Sequence, residues 1–288
     1  MTWKRDGAEV WLQVKTVVLV VGLLVGIATA LMSGQEESQE ADLTGGSDEI
    51  PDRPIGMVKS AADQFSSVPF KVGERLAYRV SWLETLEAGT AELTVTSRDP
   101  KNSGAYRLRV DARTTQAVES SYSLNFRISS IFDLRLGASL EYRKSFEEKK
   151  RVVRESIVFN PLGRLAIFVN SKKESQVLPI EIGTQDPVSA MYFVRSFGLK
   201  PGLRFFFPIV EGGKTYQIDV TVVGTELIST GLGSFSTQRV KAVFRNSAGL
   251  LADSKMTFWF TNDHRRIPVL AVVSLPLGSL LLELILIS

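Results

Sequence analysis

The chain's one histidine, His264, stands in the polar cluster Thr261-Asn262-Asp263-His264-Arg265-Arg266, so any Ser–His–Asp relay has to run through it. No G-x-S-x-G elbow accompanies it; Gly231-Leu232-Gly233-Ser234-Phe235-Ser236 has a different spacing. Between the apolar runs Met256–Phe260 and Ile267–Val273, the cluster reads as a hairpin turn. Cysteine is absent. That removes disulfides, thiolate nucleophiles, Cys-based zinc sites, iron–sulfur clusters and the lipidated Cys of a lipoprotein, and one imidazole cannot build the usual zinc sites by itself. Gly212-Gly213-Lys214-Thr215 has the ending of a phosphate-binding loop. However, Phe207 and Pro208 stand where its first glycine belongs, and a strand pattern follows instead of a helix. It reads as a hairpin tip. Glu147-Glu148, and Glu84 with Glu87, are residue types for acid–base chemistry, but their spacing does not separate them from solvated strand ends. No catalytic residue, metal ligand or cofactor is assigned, ligand-binding residues are not identified, and the chain is expected not to be an enzyme.

The densest basic patch is Lys149-Lys150-Arg151 with Arg143, Lys144 and Arg154. Its simplest reading is a hairpin tip and flanking strand whose charges solvate an edge and oppose strand-to-strand aggregation. The alternative is contact with anionic lipid head groups or acidic glycans. Nucleic acid is disfavoured as a partner by the location argued next.

Val17–Met32 is a 16-residue run without charge, with Lys15 just before it and Glu36, Glu37 and Glu40 soon after. That charge bias directs insertion with the N-terminus inside and the rest of the chain exported. A cleaved signal peptide would use Ala28-Thr29-Ala30; an uncleaved anchor would span from about Val14 to Met32. The N-region is long and contains Asp6 and Glu9, which favours the anchor. The expected location is the periplasmic side of the inner membrane, single-pass anchored, with a cleaved periplasmic form as the alternative. The chain divides into an anchor or signal over residues 1–33, a linker over 34–67 and a β domain over 68–288. Residues 34–70 carry eight acids and two bases, residues 71–288 carry 29 bases and 21 acids, and the linker's polar composition predicts a flexible tether.

From Phe70 onward, apolar and polar residues alternate. Leu76, Tyr78, Val80 and Trp82 share one face; Ala91, Leu93 and Val95 share another. So do Tyr106, Leu108, Val110 and Ala112, and later Tyr216, Ile218, Val220 and Val222. Alternation of this kind marks antiparallel sheet with one dry and one wet face. Turn signals fall at Asp99-Pro100-Lys101-Asn102, Asn160-Pro161-Leu162-Gly163, Glu211-Gly212-Gly213-Lys214 and Gly231-Leu232-Gly233, which predicts about a dozen strands or more. One helix is predicted, with Asp186 as N-cap, Pro187 in the first turn, Gly198 as a left-handed cap, and Val188, Met191, Tyr192 and Arg195 on one face. Ile267–Ile287 is interrupted by Pro276, Gly278 and Glu283, and reads as two buried strands around a turn. The fold class is all-β, mainly antiparallel: a curved sheet or open β-barrel with one short packed helix, preceded by an N-terminal membrane helix.

Several segments together resemble the bacterial family called domain of unknown function 3108. They are Phe70-Lys71-Val72-Gly73-Glu74-Arg75-Leu76-Ala77-Tyr78 with Trp82 and Ala88-Gly89-Thr90-Ala91, then Asp186–Arg195, then Trp259 with Asp263–Val269, Leu277-Gly278-Ser279 and Leu282-Glu283-Leu284. The resemblance covers about residues 68–288. It implies an exported envelope protein with a curved antiparallel sheet and no assigned activity, and it makes Asp186, Arg195, Asp263 and Pro268 candidates for caps, turn formers and a structural ion pair. The expected function is an envelope protein without evident catalysis, binding an apolar or amphipathic ligand in the curved sheet. The alternatives are a structural or assembly partner in an envelope complex, or a hydrolase of envelope glycan or lipid. Expected partners are the membrane through the N-terminal helix, and lipid or another envelope protein.

Overall fold

The computed structural model describes residues 56–57, 68–115, 124–148, 151–245, 251–275 and 278–288. The membrane helix expected over 1–33 lies outside them, as does the tether over 34–67 apart from Gly56–Met57. Among the described residues no helix is long and apolar enough to cross a membrane.

The first meander comprises β2 (Arg75–Trp82), β3 (Leu86–Asp99), β4 (Asn102–Thr114), β5 (Leu124–Asp133), β6 (Ala138–Glu148), β7 (Arg151–Asn160), β8 (Leu165–Val169) and β9 (Ser175–Pro179). After helix α1 (Pro187–Arg195) comes the second: β10 (Arg204–Glu211), β11 (Lys214–Thr230), β12 (Gly233–Arg245), β13 (Leu251–Thr261), β14 (Pro268–Leu275) and β15 (Gly278–Ile287). All these pairings are antiparallel, and β15 pairs with β2, so the end of the chain closes onto the start of the domain. The two-residue β1 (Gly56–Met57) adds in parallel to β10. The result is one rolled sheet that is not closed, because β9 and β10 do not pair with each other.

At this seam the chain inserts a helix between β9 and β10, which follow one another in sequence without pairing. Gln185 bridges in parallel to Ile209, and the Ser139 amide donates to the Thr184 carbonyl. Residues 184–185 therefore span from β6 to β10. Asp186 then caps α1: Oδ1 accepts from the Val188 and Ser189 amides at 2.8 and 3.0 Å, while Ser189 Oγ accepts from the Asp186 amide at 3.0 Å. That reciprocal pair satisfies amides a helix start otherwise leaves open. Asp186 Oδ2 also takes the Ser130 hydroxyl of β5 at 2.6 Å. Burial raises the Asp186 pKa against the pull of these hydrogen bonds.

The predicted N-cap and Pro187 are where the sequence puts them; the predicted C-cap is not. The helix stops at Ser196, whose amide donates to the Phe193 carbonyl and whose hydroxyl donates to the Tyr192 carbonyl. A hydroxyl next to the last turn does the work expected of Gly198, which has no positive φ.

The alternating residues on the inner faces form a single core with α1. The helix is buried on nearly all sides, leaving Pro187 and Met191 its more open residues, rather than on the one stripe expected. Phe193 and Phe197 meet Phe207 and Phe205 of β10 at ring separations of 5.0 and 4.5 Å. Tyr192 meets Phe70 at 5.0 Å, and Phe70 in turn meets Tyr106 of β4 at 5.1 Å. These rings fill the hollow between α1 and the sheet.

Candidate functional site

Two clusters of buried charge interrupt the apolar interior, one at the last turn of α1 and one between β6, β7 and β10. Arg195, in the last helical turn, is fully buried and grips Glu74 with both terminal nitrogens, Nη1 to Oε1 at 2.7 Å and Nη2 to Oε2 at 2.9 Å. It also donates to the Arg265 carbonyl from Nη2 and Nε, and to the Pro69 carbonyl. Burial works against the guanidinium charge, but Glu74 outweighs it and the Arg195 pKa is raised. This planar, two-pronged contact is geometry that arginine supplies and lysine does not. It ties the entry to β2, the end of α1 and the β13–β14 turn at one point.

The second pair overturns one sequence assignment. By sequence Lys144 groups with the solvated bases around Lys149, yet it lies on the inner face of β6 between Tyr142 and Phe146 and is buried. Its Nζ reaches Glu211, the last residue of β10, at 2.5 Å and Glu155 of β7 at 2.9 Å. The contact to Glu211 crosses the seam. Burial pushes the Glu211 carboxyl up to about 7, against the downward pull of Lys144. Burial also disfavours the Lys144 charge, but Glu211 and Glu155 outweigh it, so the Lys144 pKa is raised. An amine held protonated between two carboxylates is the opposite of a lysine nucleophile, which needs a lowered pKa. The cluster is suited to tying the two ends of the sheet together.

Outside, the sheet carries two apolar areas. The first lies over β13–β15, where Trp259, Leu270 and Glu283 form a cross-strand row on the outer face. β11 and β12 run on past a bulge at Val222/Gly224 as a two-stranded arm that folds back over this row. Trp259 Nε1 donates to Glu226 of the arm at 2.6 Å, Arg239 pairs with Glu226 at 2.9 Å, and the Gly231 amide at the arm's tip donates to Glu283 at 2.9 Å. Ile228 and Phe235, paired across the arm, are half-buried.

The second area is bare. On the outer faces of β7, β8 and β9, Val158 pairs with Ile167 and Ile167 with Val177, with exposures of 53%, 39% and 66%. The runs Ile157-Val158-Phe159 and Leu165-Ala166-Ile167-Phe168-Val169 are apolar without a break, so in a strand alternate members, Val158 and Ile167 among them, must point away from the core. That break in alternation is the signal the sequence carries for an apolar outer face. Arg154, Lys172 and Lys173 beside this ladder are exposed and form no ion pair among the described residues.

His264 is exposed in the turn between β13 and β14, as expected. Its neighbour Asp263 shapes that turn: Oδ1 accepts from the Arg265 and Arg266 amides and the Thr261 hydroxyl, and Oδ2 holds the Arg265 guanidinium. Burial pushes the Asp263 pKa up, but the Thr261 and Arg265 hydrogen bonds leave it lowered. The Pro268 carbonyl accepts the buried Tyr78 hydroxyl at 2.9 Å. Gly212 and Gly213, with φ of 55° and 75°, make the tight β10–β11 turn. A Cβ on Gly213 would fall 2.9 Å from the Phe168 ring, so glycine is also what lets this turn lie against β8. Glu84 and Glu87 are exposed around the β2–β3 turn, and Glu147 is exposed near the end of β6. Among the described residues no three His, Asp or Glu side chains gather as metal ligands.

A rolled, unclosed antiparallel sheet filled by one helix defines the class: a barrel-like all-β protein. The chain belongs to the DUF3108 family of proteins of unknown function, whose model matches residues 77–285. No curated protein matches the sequence. Among solved structures, a β-barrel-like protein of domain of unknown function DUF1849 from Brucella abortus is similar, with a TM-score of 0.53 and 12% identity over 75% of this chain and 97% of that one. This likeness is one of fold. The protein CT021 from Chlamydia trachomatis (TM-score 0.34, 12% identity, 76% of this chain and 87% of that one) and a DUF1089 family protein from Pseudomonas aeruginosa (TM-score 0.31, 13% identity, 60% and 90%) are more distant.

Proposed function

We propose that this is an extracytoplasmic cell-envelope protein that works by binding rather than catalysis, as a structural or assembly partner in an envelope complex. Its working surface is the outside of the curved sheet. The observation that carries the reading is the ladder Val158–Ile167–Val177, exposed on three strands next to a sheet edge that has no neighbour among the described residues. A soluble protein keeps such a patch when something else covers it. The other binding mode expected from sequence, an apolar ligand held inside the sheet, is opposed by α1 and its rings, which occupy that space.

Chemical crosslinking in intact cells tests the proposal. The full chain should give a discrete adduct with an envelope protein, lost when Val158 and Ile167 are both changed to threonine and retained in His264→Ala. Stoichiometric co-purifying lipid with no protein adduct would count against it, as would loss of cellular function in His264→Ala.

A further inference from the structure

The edge of β9 has a hydrogen-bonding pattern that can be read residue by residue. The Ile180 amide donates to the Arg164 carbonyl and the Asn170 amide to the Glu174 carbonyl. Antiparallel strands alternate the side to which successive backbone groups point. Even-numbered residues of this strand therefore turn toward β8. Ser175, Val177 and Pro179 turn their backbone groups to the open side, where β9 has no strand neighbour among the described residues. The open edge thus presents two amides, those of Ser175 and Val177, and three carbonyls. Pro179 has no amide to leave unpaired, which is the place on an edge where proline is tolerated.

We infer that a second copy of this chain completes this edge, β9 pairing antiparallel with β9 across a two-fold axis at Val177. In that register Val177 faces Val177 of the partner subunit, and Ser175 faces Pro179 of the partner subunit. Each Val177 amide donates to the opposite Val177 carbonyl, and each Ser175 amide donates to the opposite Pro179 carbonyl. Both open amides of each edge are satisfied; Pro179 has no N–H to return, so the Ser175 carbonyl opposite it, at the exposed end of the pairing, is left to water.

The charges agree with the same register. Beyond the paired residues, Lys173 of the β8–β9 turn (φ 63°) flanks one end of β9 and Glu181 the other, so the two-fold brings the Lys173 end of each copy to the Glu181 end of the next. Lys173 and Glu181 are exposed, and neither has an ion-pair partner among the described residues. A two-fold interface requires this kind of self-complementarity. A lipid surface would meet the same bases and apolar side chains, but it offers no groups at strand spacing for the two amides.

The inference deepens the binding reading above, because pairing the edges joins the two bare ladders. Val158, Ile167 and Val177 of each copy become one row across six strands. The face presented to an envelope partner is then twice as wide as in a single chain.

The absence of native cysteine makes the test clean. Directly opposed residues in a hydrogen-bonded pair lie about 5.5 Å apart at Cα, within disulfide reach. Full-length Val177→Cys, in cell membranes treated with copper-phenanthroline, should form a disulfide-linked dimer. Leu227→Cys, 73% exposed on the arm, should not. Sedimentation of the full chain in detergent should show a dimer that Lys173→Glu and Glu181→Lys each weaken by about tenfold, since each turns two symmetry-related surface attractions into repulsions. The double swap should restore it. Val177→Cys crosslinking no better than Leu227→Cys, or dimerisation indifferent to both charge reversals, overturns the inference. If the dimer fails while the in-cell adduct at the ladder persists, the binding reading stands without it. If the dimer forms and no envelope adduct appears, the binding reading fails alone.

Discussion

The two apolar outer faces, over β13–β15 and over β7–β9, differ in what the chain does about them. Over β13–β15 it supplies its own roof, the β11–β12 arm, fastened through Glu226, Arg239 and Glu283. Over β7–β9 the described residues supply none, although Val158, Ile167 and Val177 are as apolar as anything under the arm. The interiors behind these faces differ in parallel. Behind the roofed side, Arg195 locks Glu74 and the β13–β14 turn with a charge that is permanent in water. Behind the bare side, Lys144 holds Glu211 across the seam, and Glu211 titrates near neutrality. One side is built to be finished; the other is left open outside and adjustable inside.

The largest effect that would separate them is loss of the Arg195 lock. Arg195→Met leaves Glu74 buried and unpaired, and should cost about 3–5 kcal/mol in urea unfolding. Changing Arg195 and Glu74 together to apolar residues should recover much of that loss. If Arg195→Met were nearly neutral, the roofed side would not be the fixed one.

The adjustable side predicts a pH effect. Burial raises Glu211 above its unfolded pKa, so the stability from its titration is fully present below the unfolded value and is lost as pH rises through about 7. Between pH 5 and 8 the domain should lose stability on the order of 3 kcal/mol from this group. In Glu211→Gln that slope should flatten. Asp186, also raised, acts in the same direction. Asp111 and Asp263, both lowered, act in the opposite direction, and what they contribute is lost in acid below the ordinary carboxylate range. Urea midpoints measured across this pH span, wild type against Glu211→Gln, decide it; parallel curves would mean that the seam pair is not what titrates.

The arm comes next. Phe235→Ala removes part of a half-buried contact, for an expected loss of about 1 kcal/mol. Amide hydrogen exchange should quicken along residues 225–237 and stay unchanged in β7–β9, because local opening follows local contacts.

Much of this architecture was legible from residue order. Alternation from Leu76 to Trp82 or from Tyr106 to Ala112 is a local property, and so are the Asp186-Pro187 start of the helix and the turn around His264. What escaped depends on contacts distant in sequence. Lys144 looks like its neighbours Arg143 and Lys149 until β6 is given a direction and Glu211, 67 residues away, is brought to it. Gly224 inside β11 is the local mark of the bulge at which the strand leaves the barrel, but nothing near it in sequence says that the strand beyond reaches Trp259 and Glu283. The seam was invisible because it is a pairing that does not form. Arg195 was singled out, through the family resemblance, as a candidate for an ion pair; its partner Glu74 was not, because a carboxylate beside Gly73 reads as an ordinary turn.

The smallest effect on stability carries the sharpest contrast. Changing Val158 and Ile167 together to threonine keeps branched side chains suited to a strand and removes apolar surface already in water. Unfolding free energy should stay within about 0.5 kcal/mol of wild type, as for other exposed positions. Trp259→Thr, at the matching place under the arm, removes a half-buried ring and its bond to Glu226, so it should cost clearly more. Yet the Val158–Ile167 double substitution should abolish the in-cell envelope adduct that Trp259→Thr leaves in place. Stability and association would then respond to opposite faces of one sheet. If instead the ladder substitution destabilised the domain as much as Trp259→Thr does, the bare face would be part of the fold, and the distinction between the two faces would collapse.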